Sequence, residues 1–299
     1  MDRTLKYRLT LGPLMLGAVF ALLWVDSKSQ QWTKGMEVFG HQFGDGISGL
    51  GLLFLLLLIL PPATTELATL FAAERVKPYR ILVALGSGAL AVHAFLTQFK
   101  RFQPIAASTL AFVIAFVMLF AALRRAWGKQ TQEAIHHMAG TVLAMMYLGG
   151  LAWFLVALRV KRSGHFTGST LVILMILVVV KSTDIGAFFG GMALGKHKLI
   201  PWLSPKKTWE GLVCGVLLAG GVGAAFAPFI QHLYWWQGVI FGVIIGAIGQ
   251  VGDLLESMMK RDADVKDSSD LIPGFGGILD VIDSPLLAAP FAYILFSLF

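Results

Sequence analysis

Residues 52–60 read LLFLLLLIL, an unbroken apolar run that indicates a helix crossing a lipid bilayer. About 20 mostly apolar residues are enough to cross the hydrocarbon layer. Applied outward along the chain, this criterion predicts nine spans, at about residues 9–26, 45–62, 80–98, 104–123, 138–158, 168–194, 209–230, 235–259 and 277–299. The sequence therefore predicts an all-α polytopic membrane protein.

The composition supports this fold class and excludes several others. The chain has 299 residues, of which 57% are hydrophobic and 14% are charged. Soluble domains are about 45–50% apolar and about 25% charged, so a soluble enzyme, a disordered protein and a disulfide-rich secreted module are excluded. The single cysteine, Cys214, excludes an internal disulfide and a cysteine-based metal cluster.

The distribution of Lys and Arg predicts the orientation in the membrane. With a cytoplasmic N-terminus, 16 of the 24 basic residues, including Arg3, Lys6 and Arg8, fall on the cytoplasmic side and 7, including Arg162, on the outer side. Cytoplasmic loops carry an excess of Lys and Arg. We therefore expect the N-terminus and the polar site to face the cytoplasm. A bacterial inner membrane is the default location.

The acidic residues divide the chain into two predicted parts. Ten of the 17 lie between Asp184 and Asp283. We predict an N-terminal transmembrane scaffold over 1–167, with about five helices, and a catalytic transmembrane region over 168–299, with about four.

The acidic residues of the scaffold receive no functional assignment. Glu66, Glu74 and Glu133 fall in predicted loops, where solvated charge is the usual state. Asp45 opens the second predicted span and is a candidate helix cap.

The sixth predicted span carries Lys181 and Asp184, one helical turn apart. An ionisable residue at membrane depth is costly unless it faces a partner or water. Either the two residues pair at a helix contact, or Asp184 belongs to the wall of a polar cavity. The glycines that follow favour close helix approach or a broken helix at a cavity: Gly186, Gly190, Gly191 and Gly195.

The stretch 204–211, SPKKTWEG, resembles the start of a helix, with Ser204 as N-cap and Pro205 at the first helical position. Free backbone N–H groups there, with Lys206, Lys207 and Thr208, would favour an anion. The alternative is an ordinary basic loop on the cytoplasmic side.

The last two spans carry most of the remaining polar groups. Asp253, Glu256 and Lys260 follow helical spacing, so they share one face with Ser257 of the eighth span. The same spacing places Asp280, Asp283 and Ser284 on one face of the ninth span. Two helices thus bring carboxylates to one membrane level.

Carboxylate oxygens suit Mg²⁺, which substrate phosphates commonly complete. Cationic side chains nearby can neutralise polyphosphate charge: Lys206, Lys207, Lys260, Arg261 and Lys266. Together with the membrane location, this combination suggests phosphoryl or nucleotidyl transfer on a lipid.

The segment from Ser257 to Asp283 resembles the signature of the phosphatidate cytidylyltransferases (CDP-diacylglycerol synthases). The matching positions are Ser257, Lys260, Arg261, Lys266, Asp267, Gly276, Gly277, Asp280 and Asp283. Residues 204–211, Gly252, Asp253 and Asp184 also resemble the family, and the resemblance covers about 180–299. Two positions depart from the signature: Phe275 replaces its histidine and Val281 its arginine, which removes two potential donors to phosphate.

The resemblance implies the reaction CTP + phosphatidate → CDP-diacylglycerol + pyrophosphate, with Mg²⁺ as cofactor and a second metal ion as an open alternative. We expect Asp253 and Asp280 as the first-choice Mg²⁺ ligands, with Glu256 and Asp283 next. The expected catalytic residues are Asp253, Asp280, Asp283 and Lys260. Substrate phosphates would meet Ser204, Lys206, Lys207, Thr208, Lys260, Arg261 and Lys266.

The expected partners are CTP, phosphatidate and membrane lipids, with no nucleic acid. The glycines Gly215, Gly220, Gly221 and Gly223 indicate either a homodimer or internal helix packing. Three other functions remain open. They are a nucleotidyltransferase for another lipid phosphate, a homologue of reduced activity, and, less favoured, a transporter.

Overall fold

The computed structural model describes residues 3–38, 41–42, 46–129, 131–161, 169–274 and 276–299. Four predictions fall outside these residues: the Asp45 cap, the charge of Arg162, the signature departure at Phe275 and the boundary between residues 167 and 168. The described chain forms two compact units. The first comprises Met1–Val160 and Ser268–Ile278, and the second Lys161–Asp267 and Leu279–Phe299.

In the first unit, α3 packs against α2, α4 and α6, and α1 packs against α2. Met146–Gly150 forms a widened helical turn that joins α5 to α6, and β1 pairs antiparallel with β2. The elements are α1 (Arg3–Trp32), β1 (Glu37–Val38), β2 (His41–Gln42), α2 (Leu50–Ala73), α3 (Arg80–Leu96), α4 (Ala106–Trp127), α5 (Ala134–Met145) and α6 (Leu151–Val160).

In the second unit, α7, α8 and α9 pack each against the next, and α10 packs against α9 and α7. A short antiparallel hairpin joins α7 to α8, with Lys198 opposite Thr208 and Ile200 opposite Ser204. The elements are α7 (Thr170–Leu194), β3 (Lys198–Ile200), β4 (Ser204–Thr208), α8 (Trp209–Phe226), α9 (Trp235–Asp262) and α10 (Leu279–Leu298).

Every predicted span coincides with helical structure, which confirms the all-α membrane fold class. Among the described residues, eight helical segments are long and apolar enough to cross a bilayer. The third predicted span, α3, has only 17 residues, at the lower limit of spanning length. Over the described parts of the chain, the structure therefore supports eight full-length spans and one short apolar helix.

The glycines of α7 and α8 allow these helices to approach closely. A Cβ added at Gly186 would lie 2.8 Å from Gly215 Cα, and one at Gly215 would lie 3.0 Å from Ala187 N. Because α7 is continuous, the structure favours close approach over a broken helix. Gly215, Gly220 and Gly223 all face atoms of the same unit, so internal packing accounts for them, and the homodimer stays a prediction.

The prediction that Ser204 caps a helix is wrong. Ser204–Thr208 is strand β4, and α8 begins at Trp209, with the Thr208 hydroxyl accepting a hydrogen bond from Gly211 N at 3.1 Å. Pairing with β3 holds Ser204 and Pro205 in extended backbone, so the Ser-Pro signal is overridden by the hairpin. The helix N-terminus lies four residues later than expected, with the cap at Thr208 and not at Ser204.

The prediction that Glu66 is solvated in a loop is also wrong. The expected span ends at Pro62, but α2 continues through Pro61 and Pro62 to Ala73 and buries Glu66. Glu74 and Glu133, by contrast, are exposed as predicted.

Candidate active site

Three carboxylates of the second unit form one group, which we call the carboxylate group: Asp253, Glu256 and Asp283. One oxygen atom from each lies within 4.8 Å of the others. Asp253 and Glu256 are one turn apart on α9, and Asp283 lies in the first turns of α10, which packs against α9. Helical spacing and helix packing together thus produce the group.

Two members of the carboxylate group are deeply buried. The residues Glu256 and Asp283 are 1% and 2% exposed. Within the described part of the chain, no hydrogen-bond partner reaches Glu256 Oε1 or Asp283 Oδ2. Burying an ionised carboxylate is costly unless a cation or hydrogen-bond donors compensate. The two unsatisfied oxygens and the clustered hard ligands therefore fit a divalent cation such as Mg²⁺.

Lys260 lies beside the carboxylate group and is largely buried. Its Nζ lies 3.0 Å from Glu256 Oε2 and 2.6 Å from Asp280 Oδ1. One lysine thus compensates part of the negative charge and links α9 to α10. The sequence predicts Asp280 as a first-choice Mg²⁺ ligand. In the structure, Asp280 forms an ion pair with Lys260 and lies outside the three-carboxylate group found among the described residues. Its role as a ligand stays a prediction.

A cavity of about 240 Å³ lies in the same unit, bordered by α7, the hairpin and α8. Its wall combines charged or polar with apolar side chains, and it is lined by Asp184, Ala187, Phe188, Leu199, Lys206, Lys207, Thr208, Leu212 and Gln250. An amphipathic wall suits a ligand that has both a charged and an apolar part. The sequence reading that places Asp184 in a polar wall agrees with this geometry, and so does its pairing with Lys181 at 3.5 Å.

Lys207 and Gln250 connect the cavity to the carboxylate group. Lys207 forms an ion pair with Asp253 and donates to Gln250 Oε1 at 3.0 Å. The buried Gln250 donates in turn to Asp184 Oδ1 at 2.7 Å. Since both ends of the amide are used, Gln250 fixes the position of the lysine Nζ. Anionic oxygen atoms in the cavity would meet this cation next to the carboxylates.

The other predicted phosphate-binding residues do not all lie at the cavity. Lys206 is an exposed residue of the cavity wall. The hydroxyl of Thr208 already accepts the capping hydrogen bond at the start of α8. Ser204 is not in the cavity lining. Arg261 is exposed and donates to Val265 O at 3.2 Å, and Lys266 is exposed.

Sequence reasoning missed Gln250. It lies three residues before Asp253 on α9, so the helical spacing that found the polar stripe extends to it. A neutral amide on a glycine-rich helix carries no charge, so charge patterns in the sequence do not indicate Gln250 as a functional residue.

The model of the cytidylyltransferase family matches residues 43–299. The chain belongs to the cytidylyltransferase family. The match begins at residue 43, far upstream of residue 180, where the resemblance of the sequence begins, so most of the first unit also belongs to the matched range. The carboxylate group, Lys260 and the cavity all lie within the matched range.

Individual relatives match over a shorter part of the chain. A phosphatidate cytidylyltransferase of Bacillus subtilis is 39% identical over 52% of this chain and 57% of its own length. One from Synechocystis is 46% identical over 43% of this chain and 44% of its length. An uncharacterized Escherichia coli protein, YnbB, is 36% identical over 50% and 49%. The chain thus covers about half the length of these relatives.

Proposed function

We propose that the chain transfers the cytidylyl group of CTP to phosphatidate, giving CDP-diacylglycerol and pyrophosphate. The observation that carries the proposal is the joining of an amphipathic cavity to a buried carboxylate group through Lys207. Membership in the cytidylyltransferase family and the names of the bacterial relatives support CTP and phosphatidate as the substrates. A lipid phosphate has the charged head and apolar tail that such a cavity suits.

In the proposed reaction, a phosphate oxygen of phosphatidate attacks the α-phosphorus of CTP. The bond from the α-phosphorus to the bridging oxygen of the β-phosphate breaks, and pyrophosphate leaves with that electron pair. The attacking phosphate is ionised near neutral pH, so the chain need not supply a general base. Catalysis then depends on positioning and on neutralising charge.

Asp253, Glu256 and Asp283 would hold the Mg²⁺ in this proposal. A bound Mg²⁺ would offset triphosphate charge and stabilise the charge that develops on the leaving group. Lys207, held by Gln250, would bind a phosphate oxygen from the cavity side. Lys260 would limit repulsion inside the carboxylate group and orient Asp280.

We also infer the location of the reaction. The excess of Lys and Arg in alternate loops supports a cytoplasmic N-terminus and a cytoplasm-facing site. CTP would then enter from the cytoplasm, and the lipid from the bilayer, since its acyl chains leave the membrane only at high cost. The bacterial relatives support an inner-membrane location.

The test is conversion of CTP labelled in its α-phosphate into a lipid-extractable product. Purified protein in mixed micelles is assayed with phosphatidate or with a polyisoprenyl phosphate, each with and without Mg²⁺. The matched variants are Asp253→Asn in the carboxylate group and Asp264→Asn, an exposed carboxylate of the following turn.

We expect a product that requires both phosphatidate and Mg²⁺, that is lost in Asp253→Asn and that is kept in Asp264→Asn. Product with the polyisoprenyl phosphate alone would reassign the lipid substrate. Absence of product from folded protein with both lipids would contradict the proposal. A product would also show that activity tolerates Phe275 and Val281 at the two departing signature positions.

A further inference from the structure

Glu66 belongs to α2, and only 5% of the residue is exposed to solvent. Three hydrogen-bond donors from one loop converge on its carboxylate. Ser269 Oγ donates to Oε1 at 2.6 Å, Ser268 Oγ to Oε2 at 3.3 Å, and the backbone N–H of Ile278 to Oε1 at 3.0 Å. All four residues belong to the first unit. We call Ser268–Ile278 the signature loop, because it carries Gly276 and Gly277 of the family signature.

The signature loop lies directly against this carboxylate. A Cβ added at Gly277 would overlap Ser268 Oγ and lie 2.6 Å from Glu66 Oε2. The residue at 277 must therefore be glycine for the backbone to approach so closely. In the middle of the loop, Ile272 and Gly276 exchange two backbone hydrogen bonds, of 2.8 and 3.0 Å. Glu66 thus holds both ends of the loop, and a turn of its own closes the stretch between them.

The signature loop leads straight into α10. The backbone N–H of Ile278 donates a hydrogen bond to Glu66. The next residue, Leu279, is the first residue of α10, and Asp280 follows it. Because the chain is continuous, anchoring Ile278 restricts where the first turns of α10 can begin. Those turns carry Asp280 and Asp283.

We propose that Glu66 is a positioning residue that anchors the signature loop and so sets the placement of Asp280 and Asp283. Its catalytic consequence rests on the proposed function. Glu66 is suited to this task because charge-assisted hydrogen bonds are the stronger ones. It is also suited because a long helix is a more rigid support than a loop.

The test compares Glu66→Ala and Glu66→Gln with Glu74→Ala, which removes an exposed carboxylate from the end of the same helix. Hydrogen–deuterium exchange measures protection of residues 268–283 in detergent, and kinetics separate kcat from KM. In Glu66→Ala we expect exchange of this segment to accelerate about tenfold or more. We expect kcat to fall about 10- to 100-fold, while KM for CTP stays within about threefold.

Glu66→Gln keeps one acceptor oxygen and the shape of the side chain, so it should recover part of both losses. Glu74→Ala should match the wild type. Folded Glu66→Ala protein with unchanged exchange over 268–283 would overturn the proposal, and so would faster exchange with unchanged kcat.

If Glu66→Ala does not fold, Ser269→Ala replaces it, because this variant removes the shortest of the hydrogen bonds described above and keeps those from Ser268 Oγ and Ile278 N. The same two readouts then decide, with smaller expected changes. If wild-type protein forms no lipid product, the proposed function fails, but the exchange comparison still decides whether Glu66 anchors the loop and the start of α10.

Discussion

The two units differ in how far their buried charged side chains are paired with counter-charges and hydrogen bonds. In the first unit, Asp26 and Arg159, 0% and 3% exposed, form an ion pair, and Asp26 Oδ1 also accepts from Leu52 N at 3.4 Å. In the second unit, Glu256 and Asp283 are equally buried, yet each keeps one oxygen that no partner reaches within the described residues.

The difference separates buried charges that stabilise the fold from buried charges that favour a bound cation. Buried polar groups are nearly always hydrogen-bonded, so each exception calls for an explanation. Asp26 contributes to the packing of α1 with its neighbours, and its charge is already compensated. The carboxylate group brings three acidic side chains together beside two lysines, Lys260 and Lys207, and such a cluster of oxygen ligands favours a divalent cation.

The largest expected effect is on stability and comes from Asp26→Asn. This change leaves the Arg159 charge buried without its counter-charge, which typically costs about 3–5 kcal/mol. Thermal unfolding in detergent should show a clear loss of stability, while protein that remains folded keeps its turnover. Replacing both residues with leucine should recover most of the loss. An unchanged unfolding transition in Asp26→Asn would show that the pair is not structural.

The second effect is on activity and comes from Asp283→Asn. We expect turnover to fall roughly 100-fold or more, because one of the three carboxylates that we propose to hold the cation loses its charge. Stability should stay the same or rise, because repulsion within the carboxylate group decreases. The opposite pattern, normal turnover with lost stability, would place Asp283 with Asp26 among the structural charges. Asp264→Asn serves as the exposed control.

The third prediction tests whether the cavity takes part in substrate binding. Gln250→Leu removes the acceptor of Lys207 and the donor of Asp184. Hydrogen bonds to charged groups contribute about 1.5–3 kcal/mol, so we expect KM for CTP to rise about tenfold or more, with a smaller change in kcat. Gln231→Leu, in an exposed turn of the same unit, should leave KM unchanged. Equal KM values in the two variants would show that Gln250 has no part in binding CTP.

The smallest effect is expected for Lys181→Gln. Lys181 and Asp184 lie 3.5 Å apart and are about half exposed, and such pairs contribute about 0–1 kcal/mol. Unfolding and turnover should both stay close to wild type. A loss of turnover comparable to that of Asp283→Asn would mean that Lys181 belongs to the catalytic machinery.

Much of the fold was predictable because apolar runs alone decide where spanning helices form. The polar stripe of α9 was predictable for a similar reason, since helical spacing places Asp253, Glu256 and Lys260 on one face whatever the tertiary structure. The sequence could not show which of the four acidic residues meet. That depends on how α10 packs against α9, and the packing brings Asp283 to the group and Asp280 to Lys260.

The errors share a physical cause. Ser204 was misassigned because its strand is stabilised by pairing with β3, a contact that local helix-start signals do not contain. Glu66 was misassigned because its partners lie more than 200 residues away along the chain. A carboxylate whose donors are so distant in sequence looks solvated until the fold is known.

The most direct test of the central claim is binding of Mn²⁺, a paramagnetic substitute for Mg²⁺, measured by electron paramagnetic resonance on purified protein without nucleotide. We expect the protein to bind Mn²⁺ that Mg²⁺ displaces. Asp283→Asn and Asp253→Asn should weaken this binding at least about tenfold, and Asp264→Asn should leave it intact. Equal binding by wild type, Asp253→Asn and Asp283→Asn would contradict the claim, since the buried, unsatisfied carboxylates would then have no part in holding a cation.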